Sequence, residues 1–201
     1  MIVNRCTRPI IILLGLVAAW YSVIALTEVP RFILPGPGEV ATALVVHRDV
    51  IFDNAAVTLV EIVAGFLIGA GVGTLSAVTM SIYRPARQWL IPVLVVSQTI
   101  PVFALAPVLT LWLGYGMESK IAMAVLIIYF PVTAAFHDGL QRTRKGWVDM
   151  ARIMNASRWT ELRYLRIPAA LPALGSGLRV AAAVAPIGAV VGEWVGSSAG
   201  L

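Results

Sequence analysis

The sequence predicts an all-α fold, a polytopic transmembrane helical bundle of about five spans, and three observations carry that prediction. Hydrophobic residues make up 59% of the 201-residue chain and charged residues 12%, against about 45–50% and about 25% in soluble domains. Apolar stretches of the length that crosses a hydrocarbon core, roughly 20 residues, recur along the chain. With the N-terminus placed inside, Arg5, Arg8, Arg84, Arg87, Arg142, Arg144, Lys145, Arg152, Arg158, Arg163 and Arg166 fall on the inner side, and only Arg31, Arg48 and Lys120 on the outer. That is the asymmetry of cytoplasmic loops. The net charge of +5 therefore follows from topology and calls for no nucleic-acid partner.

The first span is read from Pro9 to Leu26, uncharged and behind Arg5 and Arg8. It exceeds the roughly 7–15 apolar residues of a signal peptide, so a retained span is expected. Residues 27–56 form a polar connection broken by Pro30, Pro35, Gly36, Pro37 and Gly38, with a short helix over Gly38–His47. The second span is expected from Val57 to Tyr83. Its Gly65, Gly69, Gly73 and Ala77 recur every four residues, a face of small residues that lets helices approach closely in lipid. A dinucleotide-binding loop is excluded, because no strand precedes the glycines and no acidic partner follows at the required distance.

The third span is expected from Trp89 to Leu113, kinked by Pro92, Pro101 and Pro107. Ser97, Gln98 and Thr99 beside Pro101 are candidates for the lining of a translocation pathway. Interhelical hydrogen bonding is the competing reading. The fourth span runs from Lys120 to Phe136 and the fifth from Pro172 to Val195, bent by Pro131 and Pro186. Within the spans the expected charges are Glu61 and Glu193 near the outer face and Arg179 near the inner, where it can snorkel. His47 and His137 are read as loop or interface residues, and the lone Cys6 as an inert thiol near the membrane surface. Five spans leave the C-terminus outside, and the loop-like Gly196–Leu201 reads as an end in mid-domain. A single transmembrane domain is expected to cover 1–201.

No catalytic apparatus is legible, and no metal or cofactor site. A phosphate-binding P-loop needs Gly-x4-Gly-Lys-Ser/Thr, and the two lysines, Lys120 and Lys145, follow Ser119 and Arg144. An intramembrane enzyme would need a general base beside Ser97–Thr99, and none is near. An ion-coupled secondary carrier, the alternative transport reading, would show inverted repeats and acidic ion sites deep in the membrane.

The inner segment 141–171 is too long for a simple connection. Trp147, Met150, Ile153 and Met154 form one helical stripe, and Trp159, Leu162 and Leu165 a second. Ser157 can cap the second helix, Asn155 suits a left-handed turn between them, and Pro168 and Pro172 are expected to stop it. Seven basic residues accompany these helices. Their physics leaves open a helix on the anionic inner leaflet or one offered to the groove of a soluble partner.

Asp149-Met150-Ala151, Asn155 and Ile167-Pro168 resemble the EAA loop of the ABC importer permeases. Asp149 stands for Glu, Met150 and Ala151 for the two Ala, Asn155 for Gly, and Ile167-Pro168 for the closing apolar-Pro. Met150 and Asn155 depart from the pattern, but the spacing is kept. Pro35-Gly36-Pro37, Gln98–Lys120, Gly192-Glu193-Trp194 and Ser197–Leu201 are similar to the nitrate/sulfonate/taurine-type permeases, so the likeness covers nearly the whole chain. The resemblance implies a type I importer permease in the bacterial cytoplasmic (inner) membrane. It implies a homodimer around a translocation path, a cytosolic ATP-binding cassette subunit docked on the coupling loop, and a periplasmic or lipid-anchored solute-binding protein. It also implies at least one further span. Residues 92–140 and 178–201 most resemble the branch that imports hydroxymethylpyrimidine-type thiamine precursors, so the substrate expected is such a pyrimidine, or else a sulfonate-, nitrate- or taurine-like solute.

Overall fold

A computed structural model describes residues 3–27, 29–196 and 200, with the side chains of 3–6 and 196 left out. The readings of the Cys6 thiol and of residues 197–199 and 201 lie outside the described residues. Among the described residues the regular structure is entirely helical. Two units, 1–53 and 54–201, are distinguished.

In the first unit, α1 (Val3–Thr27) contains the uncharged stretch from Pro9 to Leu26. Its Ile10–Leu14 side chains are exposed, as lipid-facing residues are. After it, α2 (Pro37–Val46) starts with Pro37 at its first position, and Glu39 accepts a hydrogen bond from the Gly36 N–H at 3.2 Å. This half of a capping box satisfies an N-terminal donor.

Most of the second unit is built from long apolar helices. α3 (Arg48–Ile82) begins well before the expected Val57, because the length that lipid demands does not limit a helix that continues into water. α6 (Met117–Gln141) and α9 (Ile167–Gly196) are the other two. α6 lies between its neighbours. On one side, a Cβ at Gly69 or Gly73 of α3 would meet Ile128 or Thr133 at 2.9–3.0 Å. On the other, α9 runs antiparallel to it. Gly139 faces Ala173, Gly177 faces Ala135, Gly188 faces Ala124 and Gly192 faces Lys120, all at 2.7–3.0 Å from an added Cβ. Small residues allow this approach, and packing contact is what associates helices in lipid. Ala124, Ile128, Val132, Ala181 and Ala185 form the central core. His137, expected in a loop or at an interface, is buried inside α6 with its Nε2 3.5 Å from the Gln141 amide, because α6 continues beyond the expected Phe136.

Two expectations at prolines are corrected. The third span is two helices, α4 (Arg84–Thr99) and α5 (Val102–Leu113), bent by 105°. Pro101 has no N–H and forces Ile100 into an extended conformation (φ −86°, ψ 120°), which a simple kink does not accommodate. Conversely, Pro168 and Pro172 stop nothing. The four-residue α8 (Arg158–Glu161) passes through a π turn (Leu162–Arg166) straight into α9. The Ile167 N–H reaches back five residues to the Leu162 carbonyl. In this wider turn the ring and missing donor of Pro168 are tolerated, which a regular α ladder would not allow.

The α6–α9 contact predicts a sharp contrast between glycines. Gly188→Leu should destabilise the detergent-solubilised protein by about 1–3 kcal/mol or more through overpacking. Gly71→Leu, where an added Cβ meets nothing within 4 Å, should leave the thermal unfolding midpoint near wild type. Equal midpoints for the two variants would contradict this packing.

Candidate functional site

The 142–166 loop is built from short helices and the turn between them. α7 (Lys145–Ile153) buries only Val148 among its larger apolar side chains. Trp147, Met150, Ile153 and Met154 are exposed, Ile153 at 83%. An amphipathic helix with its apolar stripe outward has a face left for something else. Its end is a Schellman turn. Asn155 takes a positive φ of 53° and donates its N–H to the Arg152 carbonyl at 2.9 Å. The Ala156 N–H reaches the Ala151 carbonyl, also at 2.9 Å. Ala151 and Asn155 thus occupy the two positions that define the turn, while Asp149 is exposed and lies 3.8 Å from Arg152.

Beyond the turn, Ser157 caps α8, accepting from the Thr160 N–H at 3.1 Å, as its position predicts. The second apolar stripe is divided. Trp159 is exposed, but Leu162 is buried with Ala77, Phe136, Leu140 and Ala170. The π turn is clamped by Arg166, which donates from Nε (2.6 Å) and Nη2 (2.5 Å) to one oxygen of the buried Glu161. Ile167 is half-buried and Pro168 exposed at the start of α9. The six residues expected at this site therefore sit on one exposed helix, the turn that ends it, and the first turn of a continuous membrane helix.

Ser97, Gln98 and Thr99 lie together at the C-terminal end of α4, directly before the break at Pro101. Ser97 and Thr99 satisfy the backbone locally, donating to the Leu94 and Val96 carbonyls at 2.8 Å, and the Gln98 amide contacts Ser97 at 3.4 Å. Gln98 and Thr99 are exposed. Across the break, Phe103 packs edge-on against Trp194 of α9 at 6.0 Å.

A third polar feature was not assembled by sequence reasoning. Lys120, expected on the outer side at the start of the fourth span, lies in the first turns of α6, 4% exposed, and donates to the fully buried Glu61 of α3 at 2.9 Å. Glu193 of α9 is buried beside them and accepts from Thr58 at 2.5 Å. One oxygen of Glu61 and one of Glu193 have no hydrogen-bond partner among the described residues. The Gly200 N–H donates to Asn54 Oδ1 at 3.0 Å. The signal was available: charges inside spans pair with one another, and Glu61, Lys120 and Glu193 all fall near the same ends of their helices. Lys120→Met should cost about 3–5 kcal/mol by stranding a buried carboxylate, whereas Glu61→Gln combined with Lys120→Met should cost clearly less. Thermal unfolding of the three purified proteins checks this, and a double variant no better than Lys120→Met would refute pairwise dependence.

Comparison with known proteins places this geometry. Residues 62–201 match the family model of the binding-protein-dependent transport system inner membrane component. A probable ABC transporter permease protein of Haemophilus influenzae is 51% identical over 98% of the chain and 80% of the relative. The formylaminopyrimidine transport permease protein ThiX of Halalkalibacterium halodurans is 34% identical over 98% and 79%. The riboflavin transport system permease protein RibX of Chloroflexus aurantiacus is 35% identical over 96% and 72%. With a family model spanning most of its length, α3, α6 and α9 long and apolar enough to cross a membrane and no strand among the described residues, the chain belongs to the inner membrane components of binding-protein-dependent transport systems, the type I ABC importer permeases.

Proposed function

We propose that this permease forms, as a homodimer, the path of an ATP-driven importer for a small polar organic solute. The observation that carries the reading is the outward-facing apolar stripe of α7, closed by the Ala151–Asn155 turn. ATP hydrolysis resides in a separate cytosolic ATP-binding cassette subunit, whose groove receives α7 as an amphipathic helix. Asp149, Met150, Ala151 and Asn155 set that contact, and Ile167-Pro168 carry it into α9. A periplasmic or lipid-anchored binding protein delivers the solute on the other side. Closure of two ATPase subunits moves α7, and through α8 and α9 the outer and inner openings alternate. Ser97, Gln98 and Thr99, at the broken α4–α5 span, contribute to the path lining together with α9.

In this arrangement the N-terminus and the 141–171 loop are cytoplasmic, which the excess of basic residues on that side supports. The substrate class proposed is a thiamine-precursor pyrimidine. Likeness to a relative named for formylaminopyrimidine transport supports it, while relatives named for riboflavin and for aliphatic sulfonates keep those solutes as comparators.

Uptake in proteoliposomes containing the permease, its ATPase and its binding protein tests the reading directly. Transport should require ATP and both partners, and a labelled hydroxymethylpyrimidine should be displaced by its own analogues but not by taurine or riboflavin. Uptake driven by an ion gradient without the ATPase would overturn it. Asn155→Val should abolish most ATP-coupled uptake while leaving membrane insertion intact, because a β-branched residue at positive φ costs about 1–2 kcal/mol, whereas Asn155→Gly should retain uptake. Full uptake by the valine variant would exclude the turn from coupling. Cys6 is the chain's sole cysteine; an impermeant maleimide should label it only after the cells are permeabilised, and labelling of intact spheroplasts would reverse the topology.

A further inference from the structure

We propose that the cleft between the α3–α4 corner and α8 binds the phosphate of an anionic phospholipid from the inner leaflet. The cleft has a volume of about 490 Å³, and Arg84, Arg87, Arg152, Arg158 and Arg166 line it with a single carboxylate, Glu161. Glu161 is already committed to Arg166, and Arg152 lies beside Asp149. Arg84, Arg87 and Arg158 make no ion pair among the described residues. Guanidinium groups gathered round one concavity repel each other unless an anion lies between them, and their fork geometry suits phosphate. The start of α4 adds to the field. Its N-cap residue, Tyr83, supplies no side-chain cap, and the positive end of the helix dipole points the same way as Arg84 and Arg87.

The rim of the cleft favours a lipid over a soluble anion. Met80 and Ile82, the last apolar residues of α3, close its inner wall, Met80 buried and Ile82 packed against the core. Tyr83 and Trp159 line it too and are 60% and 58% exposed, the placement of amphipathic rings at headgroup level. A basic pocket between membrane helices on the cytoplasmic side is the chemistry that holds anionic headgroups. The docking stripe Trp147, Met150 and Ile153 does not line the cleft, to which α7 contributes Arg152 alone. A phosphate held here links α4 to α8 and steadies the loop against the bundle. The inference rests on the cytoplasmic placement of this end proposed above.

The test uses the full chain purified with its ATPase subunit and exchanged into nanodiscs of phosphatidylcholine with or without phosphatidylglycerol. Native mass spectrometry of the released complex should show retained phosphatidylglycerol. Arg84→Gln/Arg87→Gln/Arg158→Gln should weaken retention by about fivefold per charge, roughly a hundredfold together, while Arg8→Gln/Arg142→Gln, at residues that do not line the cleft, should leave it unchanged. Should the triple variant fold poorly, a photoreactive phosphatidylglycerol on the wild-type complex gives the same answer, with crosslinks expected at 80–87 and 158–162. Equal retention by the two variants, or crosslinks elsewhere only, overturns the proposal. Displacement of the lipid by millimolar inorganic phosphate assigns the cleft to a soluble anion and overturns the lipid source. Normal retention with loss of the ATPase subunit from the triple variant assigns it to the partner and likewise overturns it. ATP-driven uptake by the same variants in proteoliposomes reports on the importer reading separately, so lost lipid retention with preserved coupling leaves that reading standing.

Discussion

The close antiparallel approach of α6 and α9 is the contact on which the rest of the structure depends. In lipid, apolar side chains gain nothing by leaving the solvent, so helices associate through packing and polar contacts. Glycine or alanine meets its partner's backbone or Cβ at Gly139, Gly177, Gly188 and Gly192, and α3 applies the same device to another side of α6 at Gly65, Gly69 and Gly73. Such packing deforms poorly, because close-packed interfaces shift between discrete arrangements rather than bending continuously. These helices therefore move as a body. The α4–α5 span breaks beside them, its two halves meeting at a 105° bend, with α5 packed on α6 and α9 through Ala106, Met123 and Val191.

That rigidity gives the 142–166 connection its mechanical meaning. Both of its ends enter the same packed pair. On the α9 side there is no loop at all, since α8, the π turn and α9 are continuous, and Leu162 anchors the junction in the core. Displacement of α8 is thus displacement of α9. Between α7 and α8 the articulation is the turn after α7, where two backbone hydrogen bonds and the positive φ of Asn155 fix the angle between the two helices. This explains why the loop pattern calls for a small residue and then glycine. The first position supplies the carbonyl that the turn closes on, and the other takes the left-handed conformation, which asparagine also tolerates.

The helical bundle was legible in the sequence because span length and the four-residue spacing of small residues are local signals, and the turn at Asn155 and the cap at Ser157 were legible for the same reason. Prolines were not. Pro101 and Pro168 lack the same donor, yet one breaks a span and the other rides inside a helix. The difference is a π turn that no residue type announces and that Leu162 and the Arg166–Glu161 clamp hold in place. The loop residues were singled out by pattern. The exposure of its apolar face, which is what gives the pattern a physical use, required the fold.

Pairing across distant helices was the other gap, and it bears on why a membrane protein keeps a buried ion pair. Such a pair rarely stabilises more than well-packed apolar residues would. Its value here lies in register. Small residues at every fourth position make a face that looks nearly the same after a slip of one helical turn, about 5.4 Å; Gly65 could take the place of Gly69, and Gly69 that of Gly73. Packing alone discriminates weakly between those arrangements. Glu61 and Lys120 do not, since a slip of that size would carry the carboxylate far out of the 2.9 Å contact and leave both charges buried alone. The Thr58–Glu193 contact imposes the same condition between α3 and α9. Glycine spacing therefore brings the three helices together, and the polar junction at their ends selects the single alignment in which the loop at the opposite end is presented.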